Sequence, residues 1–289
     1  MWEGRAVRSI CGRIPALAGL ILAVSITAGC GSGDETTPSS GPPDVALNQT
    51  STAAVDSADS SATKDPARVG VPVLNELEPL RRAQDETTVP AIRGSEGLTI
   101  PQWLSTVDAD IANYWQKQFN DAGYRYKPPK EVILDRKLTT GCGPAQASIG
   151  PYYCGNDGAI YLPVKFFDTM SNRFGDAAVA VVVAHENGHR VQDLLGLFRA
   201  PLLSAQIELQ ADCLAGVWAS TVYRRGLLEP GDIDEILGII HISGDAQGVP
   251  IKAEGAHGNA TLRQNFFAQG YDGGDPGACP PPKKSQLRG

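Results

Sequence analysis

The sequence predicts an α+β domain, mostly helical with a small antiparallel sheet, preceded by a signal peptide and a disordered linker. Three observations carry this. Beyond about residue 96, long segments place apolar residues at helical spacing. Only short runs, KEVILD at 130–135 and AIYLPV at 159–164, read as strands. The chain before them is different in kind, with no aromatic residue between Trp2 and Trp103. At 289 residues and 42% hydrophobic, the chain can bury one full core, and a formal net charge of −7 excludes a generally basic, nucleic-acid-binding surface.

The N-terminal hundred residues divide in two. Arg5, Arg8 and Arg13 precede the apolar run IPALAGLILAVSI, which ends in TAGC at Cys30. That order of charged, apolar and small-residue regions marks residues 1–29 as a secretory signal, too short for a membrane span. TAGC followed by GSGD resembles the lipobox of bacterial lipoproteins, in which the cysteine is lipidated and becomes the new N-terminus. The resemblance implies lipid on Cys30 and a location on the extracytoplasmic side of the cell membrane. Plain secretion, with Cys30 a stray thiol, is the alternative. Residues 31–70 are rich in Ser, Thr, Asp, Pro and Ala, with six acids against two bases. Such a composition buries too little apolar surface to offset its ordering entropy, so residues 30–95 are expected to form a disordered tether.

The folded part, residues 96–289, then follows element by element. PQWLSTVDADIANYWQKQF (101–119) is a helix with Pro101 in its first turn. After the strand KEVILD comes GCGPAQASIGPYYCGNDG, a loop punctuated by glycines and prolines, and then the strand AIYLPV. Residues 175–195 form a long helix stopped at Gly196, and residues 204–220 a second one that Ser204 is expected to cap. GDIDEILGIIHIS (231–243) and NATLRQNFFAQG (259–270) complete the helices. In an exported chain Cys11 leaves with the signal, and Cys142, Cys154, Cys213 and Cys279 suit two disulfides. Cys142 and Cys154 flank the Gly/Pro-rich loop and make the first pair; Cys213 with Cys279 follows by elimination. No CxxC pair supports a zinc ribbon.

The long helix reads VVVAHENGHRVQDLLG from Val181. An isolated ionisable group against so apolar a run costs several kcal/mol unless it is paired or bound. On a helix, His185 and His189 project from one face with Glu186 beside them. Two neutral imidazoles so placed bind a divalent metal, and H-E-x-x-H is a signature of zinc peptidases. Zinc needs a third protein ligand, and the next helix offers Glu208 in ELQAD, with Asp212 on the same face. Ala211, Ala215, Gly216 and Ala219 around them are small enough for close helix–helix approach. Glu208 completes a His₂Glu set with a fourth position for water, and Asp212 orients a ligand histidine. Glu186, close to that water but not a ligand, is the general base. His257, in a Gly-rich turn before a helix, is the candidate second donor to the oxyanion; as a lone residue it reads equally as an exposed loop histidine. His241, inside an amphipathic helix, is expected to have no such role.

AHENGHRVQDLLG, ELQADCLAGVWA and AHGNATLRQNFFAQGY, with the upstream CGPAQASIGPYYCGNDGAIYLPVKFFD, together resemble the neutral zinc metallopeptidases of bacteria. The pairing of H-E-x-x-H with E-x-x-x-D is similar to thermolysin and other gluzincins. The resemblance covers roughly residues 96–280 and implies a zincin-like fold. It implies His185, His189 and Glu208 as zinc ligands, Glu186 as base, and Asp212 behind a histidine. It further implies that IYL (160–162) is the edge strand beside the cleft, to which an extended peptide adds by main-chain hydrogen bonds. Two departures, Asn187 and Arg190, lie off the ligand face. The expectation is a membrane-tethered, zinc-dependent endopeptidase acting on peptide or protein substrates. Its rivals are an inactive lipoprotein that binds peptides or partners in the same cleft, and a non-haem iron protein with a two-histidine, one-carboxylate triad. The intact Glu186 argues against both.

Overall fold

The computed structural model describes residues 64–77, 94–146 and 150–287. The expected signal segment, Cys30 and most of the expected tether lie outside them. Among the described residues, seven α-helices run in chain order: α1 (Val73–Glu76), α2 (Ile100–Asp121), α3 (Val164–Phe174), α4 (Asp176–Leu194), α5 (Ser204–Arg224), α6 (Asp232–Ile242) and α7 (Ala260–Gly273). Five short strands lie between α2 and α3: β1 (Lys130–Leu134), β2 (Leu138–Thr140), β3 (Gly143–Ala145), β4 (Tyr152–Cys154) and β5 (Ala159–Pro163). The α+β class holds. Among the described residues, no helix is long and apolar enough to cross a membrane.

α4 is the axis of the domain, because its first half, DAAVAVVVA, has no polar face to offer water. It packs against α2, α3, α5 and α6 and against strand β4. It ends at Leu194, and Gly196 follows in the left-handed region at φ 74°, a backbone state glycine reaches without steric cost.

Two close helix approaches set the site. A Cβ on Gly188 would lie 3.1 Å from the Ala211 carbonyl oxygen and 3.2 Å from Ala211 Cα, so this glycine lets α4 and α5 touch backbone to backbone. On the far side of α5, a Cβ on Gly216 would collide with the Phe267 carbonyl and one on Gly270 with the Cys213 carbonyl. α7 is thereby drawn onto α5, and the Cys213–Cys279 disulfide, with Cα atoms 5.7 Å apart, fastens the segment after α7 to the same helix. The Cys142–Cys154 disulfide, at 5.8 Å between Cα atoms, ties β4 to the β2–β3 turn. Both pairings are those expected.

Four expectations need correction. The main sheet is mixed, not antiparallel: its order is β1-β5-β4, with β1 parallel to β5 (Lys130↔Ala159 to Leu134↔Pro163) and β4 antiparallel to β5. The long connection between β1 and β5 gives the chain room to cross over and re-enter from the same end, as a parallel pair requires. The separate two-stranded sheet β2-β3 is antiparallel throughout. Second, IYL belongs to the central strand β5, buried at every position, and β4 is the edge beside the cleft. A continuously apolar strand is one covered on both sides. Third, Ser204 is not the cap of α5. Leu203 holds that position, its N–H donating to Gln206 Oε1 (3.0 Å), while Ser204 Oγ accepts from Gly255 N (3.0 Å).

Fourth, residues 64–77 do not belong to a tether. Lys64 pairs with the chain beside Tyr124, and Val73, Leu74 and Leu77 are buried in the main core. VPVL is apolar enough to offset its own ordering; the surrounding Ser/Thr/Asp-rich composition masks it.

Candidate metal centre

His185 and His189 stand one turn apart on α4, ring centroids 4.7 Å apart, and α5 carries Glu208 to them across the Gly188–Ala211 contact. Glu208 Oε2 lies 3.2 Å from His185 Nε2, and Glu208 Oε1 lies 3.5 Å from His189 Nε2. One donor atom from each of the three lies within 4.8 Å of the others.

The opposite ring nitrogens decide the tautomers. His185 Nδ1–H donates to Asp212 Oδ1 (2.9 Å), and Asp212 is itself gripped by Arg263, whose Nε and Nη2 each donate to it at 2.8 Å. His189 Nδ1 lies 2.7 Å from Gln192 Oε1. The Gln192 amide cannot be turned round, because its Nε2 donates to the Ile207 carbonyl (2.7 Å) and to Gln210 Oε1 (3.0 Å). Gln210 in turn donates to the Cys279 carbonyl (2.8 Å). Every acceptor in that chain is fixed by the next, so His189 carries its proton on Nδ1. Both Nε2 atoms therefore face Glu208, where a metal can take the place of a proton, the presentation a metal-bound histidine needs.

The electrostatics agree. Burial opposes charge on Glu208, yet His189, His185 and more remotely His257 hold its carboxyl well below the usual range. Burial likewise opposes charge on Asp212, which Arg263 and His185 outweigh, keeping it ionised. Burial would lower His185, but Asp212 and Glu208 push it up to about 10. The site attracts a cation, whether proton or metal.

Glu186 is 5% exposed, and burial pushes its carboxyl upward. The backbone of Tyr153, on the β4 edge, favours its charged form against that burial, and among the described residues its buried Oε2 has no hydrogen-bond partner. A buried carboxylate oxygen without a partner costs about 1–3 kcal/mol or more. Its neighbours are two Nε2 atoms and a carboxylate, a set that suits a divalent ion carrying water. The donor set thus fits zinc.

These groups line a cleft of about 370 Å³, walled by Gly150–Tyr153 on one side and by Val181, Ile239, Ile240 and Phe267 on others. His257 also lines it, with its side chain 49% exposed and Nδ1 3.5 Å from Asp245 Oδ1. His241 does not. Asn187 and Arg190 lie off the ligand face: Asn187 Nδ2 donates to Asp108 (2.8 Å), and Arg190 donates to the Lys127 carbonyl (2.8 Å) and the Tyr153 hydroxyl (3.0 Å).

A second acidic group, Asp176, Asp232 and Glu235, also converges. It serves backbone N–H groups instead: Asp176 accepts from Ser95, Asp232 from Glu229 and Glu235 from Ala177. Gln192 and Arg263 were not singled out by the sequence. Gln192 had a signal, since it lies one turn after His189 on the same face. Arg263 had a fainter one, a cation among Leu262, Phe266 and Phe267.

A helical His-Glu-x-x-His pair closed by a glutamate from the next helix defines a centre of the zinc-peptidase type. The chain belongs to the family described as "Putative neutral zinc metallopeptidase", whose model matches residues 75–281. It is similar to "Uncharacterized protein YpfJ" of Escherichia coli (strain K12), 36% identical over 200 residues, 62% of this chain and 70% of the relative. It is also similar to "Uncharacterized protein Rv2575" of Mycobacterium tuberculosis (strain ATCC 25618 / H37Rv) and "Uncharacterized protein Mb2605" of Mycobacterium bovis (strain ATCC BAA-935 / AF2122/97). Each is 37% identical over 182 residues, 53% of this chain and 62% of the relative. No solved structure matches the chain.

Proposed function

We propose that this chain is a zinc-dependent endopeptidase, tethered by lipid on Cys30 to the extracytoplasmic face of a membrane. One observation carries the catalytic reading: a buried Glu186 oxygen, unpartnered among the described residues, beside two histidines whose Nδ1 atoms each meet an acceptor and whose Nε2 atoms are thereby left for a metal. His185, His189 and Glu208 would hold the zinc. Bound there, zinc supplies a Lewis acid that brings the pKa of water toward ~7 and polarises a carbonyl.

The chain's own groups do the rest. Glu186 Oε2 takes a proton from the attacking water and returns it to the leaving amine. The Tyr153 backbone favours the charged, proton-accepting form of that carboxylate. His257, at the cleft rim, donates to the developing oxyanion. β4, as the edge strand, offers main-chain groups to an extended peptide. Arg263 and Gln210 act at a distance, holding Asp212 and Gln192 against the two ligand rings.

The test is zinc per protein molecule after dialysis, alongside peptidase rate, for three variants. Glu208→Ala removes a ligand and loses zinc with activity. Asp212→Ala keeps three ligands and loses about 10–100-fold in affinity or rate. Glu186→Gln retains zinc and abolishes turnover; wild-type cleavage by that variant would overturn the mechanism. The tether is tested by detergent phase partitioning of the wild type and Cys30→Ser, with only the wild type expected in the detergent phase.

A further inference from the structure

We infer that the cleft opens into a cationic groove that takes acidic residues of the substrate peptide. The inference rests on the peptidase reading above and names a substrate class for it. A second groove, of about 500 Å³, shares Phe166 with the cleft. Arg136 and Lys137, from the turn between β1 and β2, and Lys165, from the first turn of α3, line it with Asp135 and Met170. All three cations are exposed. None is engaged by an ion pair among the described residues, whereas the buried cations Arg190, Arg225 and Arg263 each have a carboxylate.

Three unpaired cations against one acid stand out in a chain whose formal net charge is −7. Their mutual repulsion is offset when an anionic occupant enters. The position of the groove identifies that occupant. Gly150–Tyr153 walls the cleft, and a peptide laid along it that continues past Phe166 enters the groove. Phe166 and Met170 give apolar surface for the short stem of a Glu or Asp side chain, with the cations around its carboxylate. A groove that shares Phe166 with the cleft suits a peptide that occupies both better than the flat face of an anionic membrane.

The experiment uses the purified full chain and three peptides sharing one apolar core. Glu-Glu, Gln-Gln or Lys-Lys is placed at successive positions on either side of the core. Cleavage is read as kcat/KM. Binding is read separately, by fluorescence anisotropy on the Glu186→Gln chain. Exposed ion pairs contribute modestly each, so three cations predict an advantage of about tenfold for the Glu peptide over the Lys peptide at low salt. The advantage shrinks toward unity near 1 M salt, where the Debye length is about 3 Å. Arg136→Glu/Lys137→Glu/Lys165→Glu reverses the order of the Glu and Lys peptides, and an unchanged zinc content and helical circular dichroism show that the variant is folded. Single Lys165→Gln, with a smaller loss on the Glu peptide, serves if the triple variant does not fold.

Equal handling of all three peptides by the wild type, or a Glu preference that survives the reversal, overturns the proposal. So does binding of phosphatidylglycerol vesicles that the reversal abolishes while peptide binding is unchanged. Charge-selective binding without cleavage by the parent chain would leave the groove standing and sink the peptidase reading. Cleavage without charge selectivity does the opposite.

Discussion

Gly188→Ala sets two effects against each other, and the structure says which wins. In the middle of α4, alanine is worth about 1 kcal/mol over glycine by helix propensity. The added Cβ would sit 3.1 Å from the Ala211 carbonyl oxygen and 3.2 Å from Ala211 Cα, both backbone atoms that no rotamer change can move. Restoring an ordinary contact near 3.5 Å requires α5 to retreat by about 0.3–0.4 Å. Overpacking of this kind costs about 1–3 kcal/mol, so the variant is expected to lose about 1 kcal/mol net. Glu208 lies one turn before Ala211 on the retreating helix, and metal sites tolerate displacements of only about 0.2 Å. Zinc affinity should therefore fall at least tenfold, out of proportion to the loss of stability. The assays are urea unfolding of the metal-free protein and zinc competition against a fluorescent chelator. A stability gain of about 1 kcal/mol with unchanged zinc affinity would refute the tight-contact argument.

Gln192→Met removes the acceptor that fixes the His189 tautomer, and zinc affinity should fall about 10–100-fold while the Cys213–Cys279 disulfide stays formed; unchanged affinity would show that the ring is held by other means. Asp108 is buried, and that burial, with the charge of Glu131 and against the Asn187 hydrogen bond, pushes its carboxyl up to about 7. Below pH 3.8 it is protonated in both states; as pH rises the unfolded chain ionises first, so folding loses up to about 4 kcal/mol by pH 8. Asp108→Asn should thus gain stability relative to the wild type as pH rises from 4 to 8, and parallel urea-midpoint profiles would count against it. Replacing both cysteines of a pair by alanine should cost about 4 kcal/mol for Cys213–Cys279, which closes 66 residues, and about 3 kcal/mol for Cys142–Cys154, which closes 12; the reverse order in urea unfolding would contradict the chain-entropy account.

The sequence disclosed those parts of the site that depend on local periodicity. His185, Glu186 and His189 share a turn, and Glu208 and Asp212 share another, so helix geometry alone groups them. The two disulfides were legible from the four cysteines that lie beyond the expected signal and Cys30. What escaped was set by contacts between distant segments. Arg263 reaches Asp212 only because Gly216 and Gly270 allow α7 to lie against α5, and neither glycine announces its partner. β4 is three residues inside a loop-like stretch of glycine and proline, too short for an alternating pattern to show. Its pairing with β5 made it the edge and moved IYL to the centre. Residues 64–77 were misjudged because composition averaged over a long segment hides one apolar tetrapeptide.

The relay behind His189 ends on the carbonyl of Cys279, in the segment that follows α7. Order of synthesis then becomes part of the chemistry. α4 emerges early with its two histidines, but the last acceptor that fixes one of them arrives only after α5, α6 and α7 have been made. The thiol partner of Cys213 arrives in the same residue. A chain still emerging from the ribosome holds an incomplete centre, and the same closing step that seals the fold also brings the second imidazole into register.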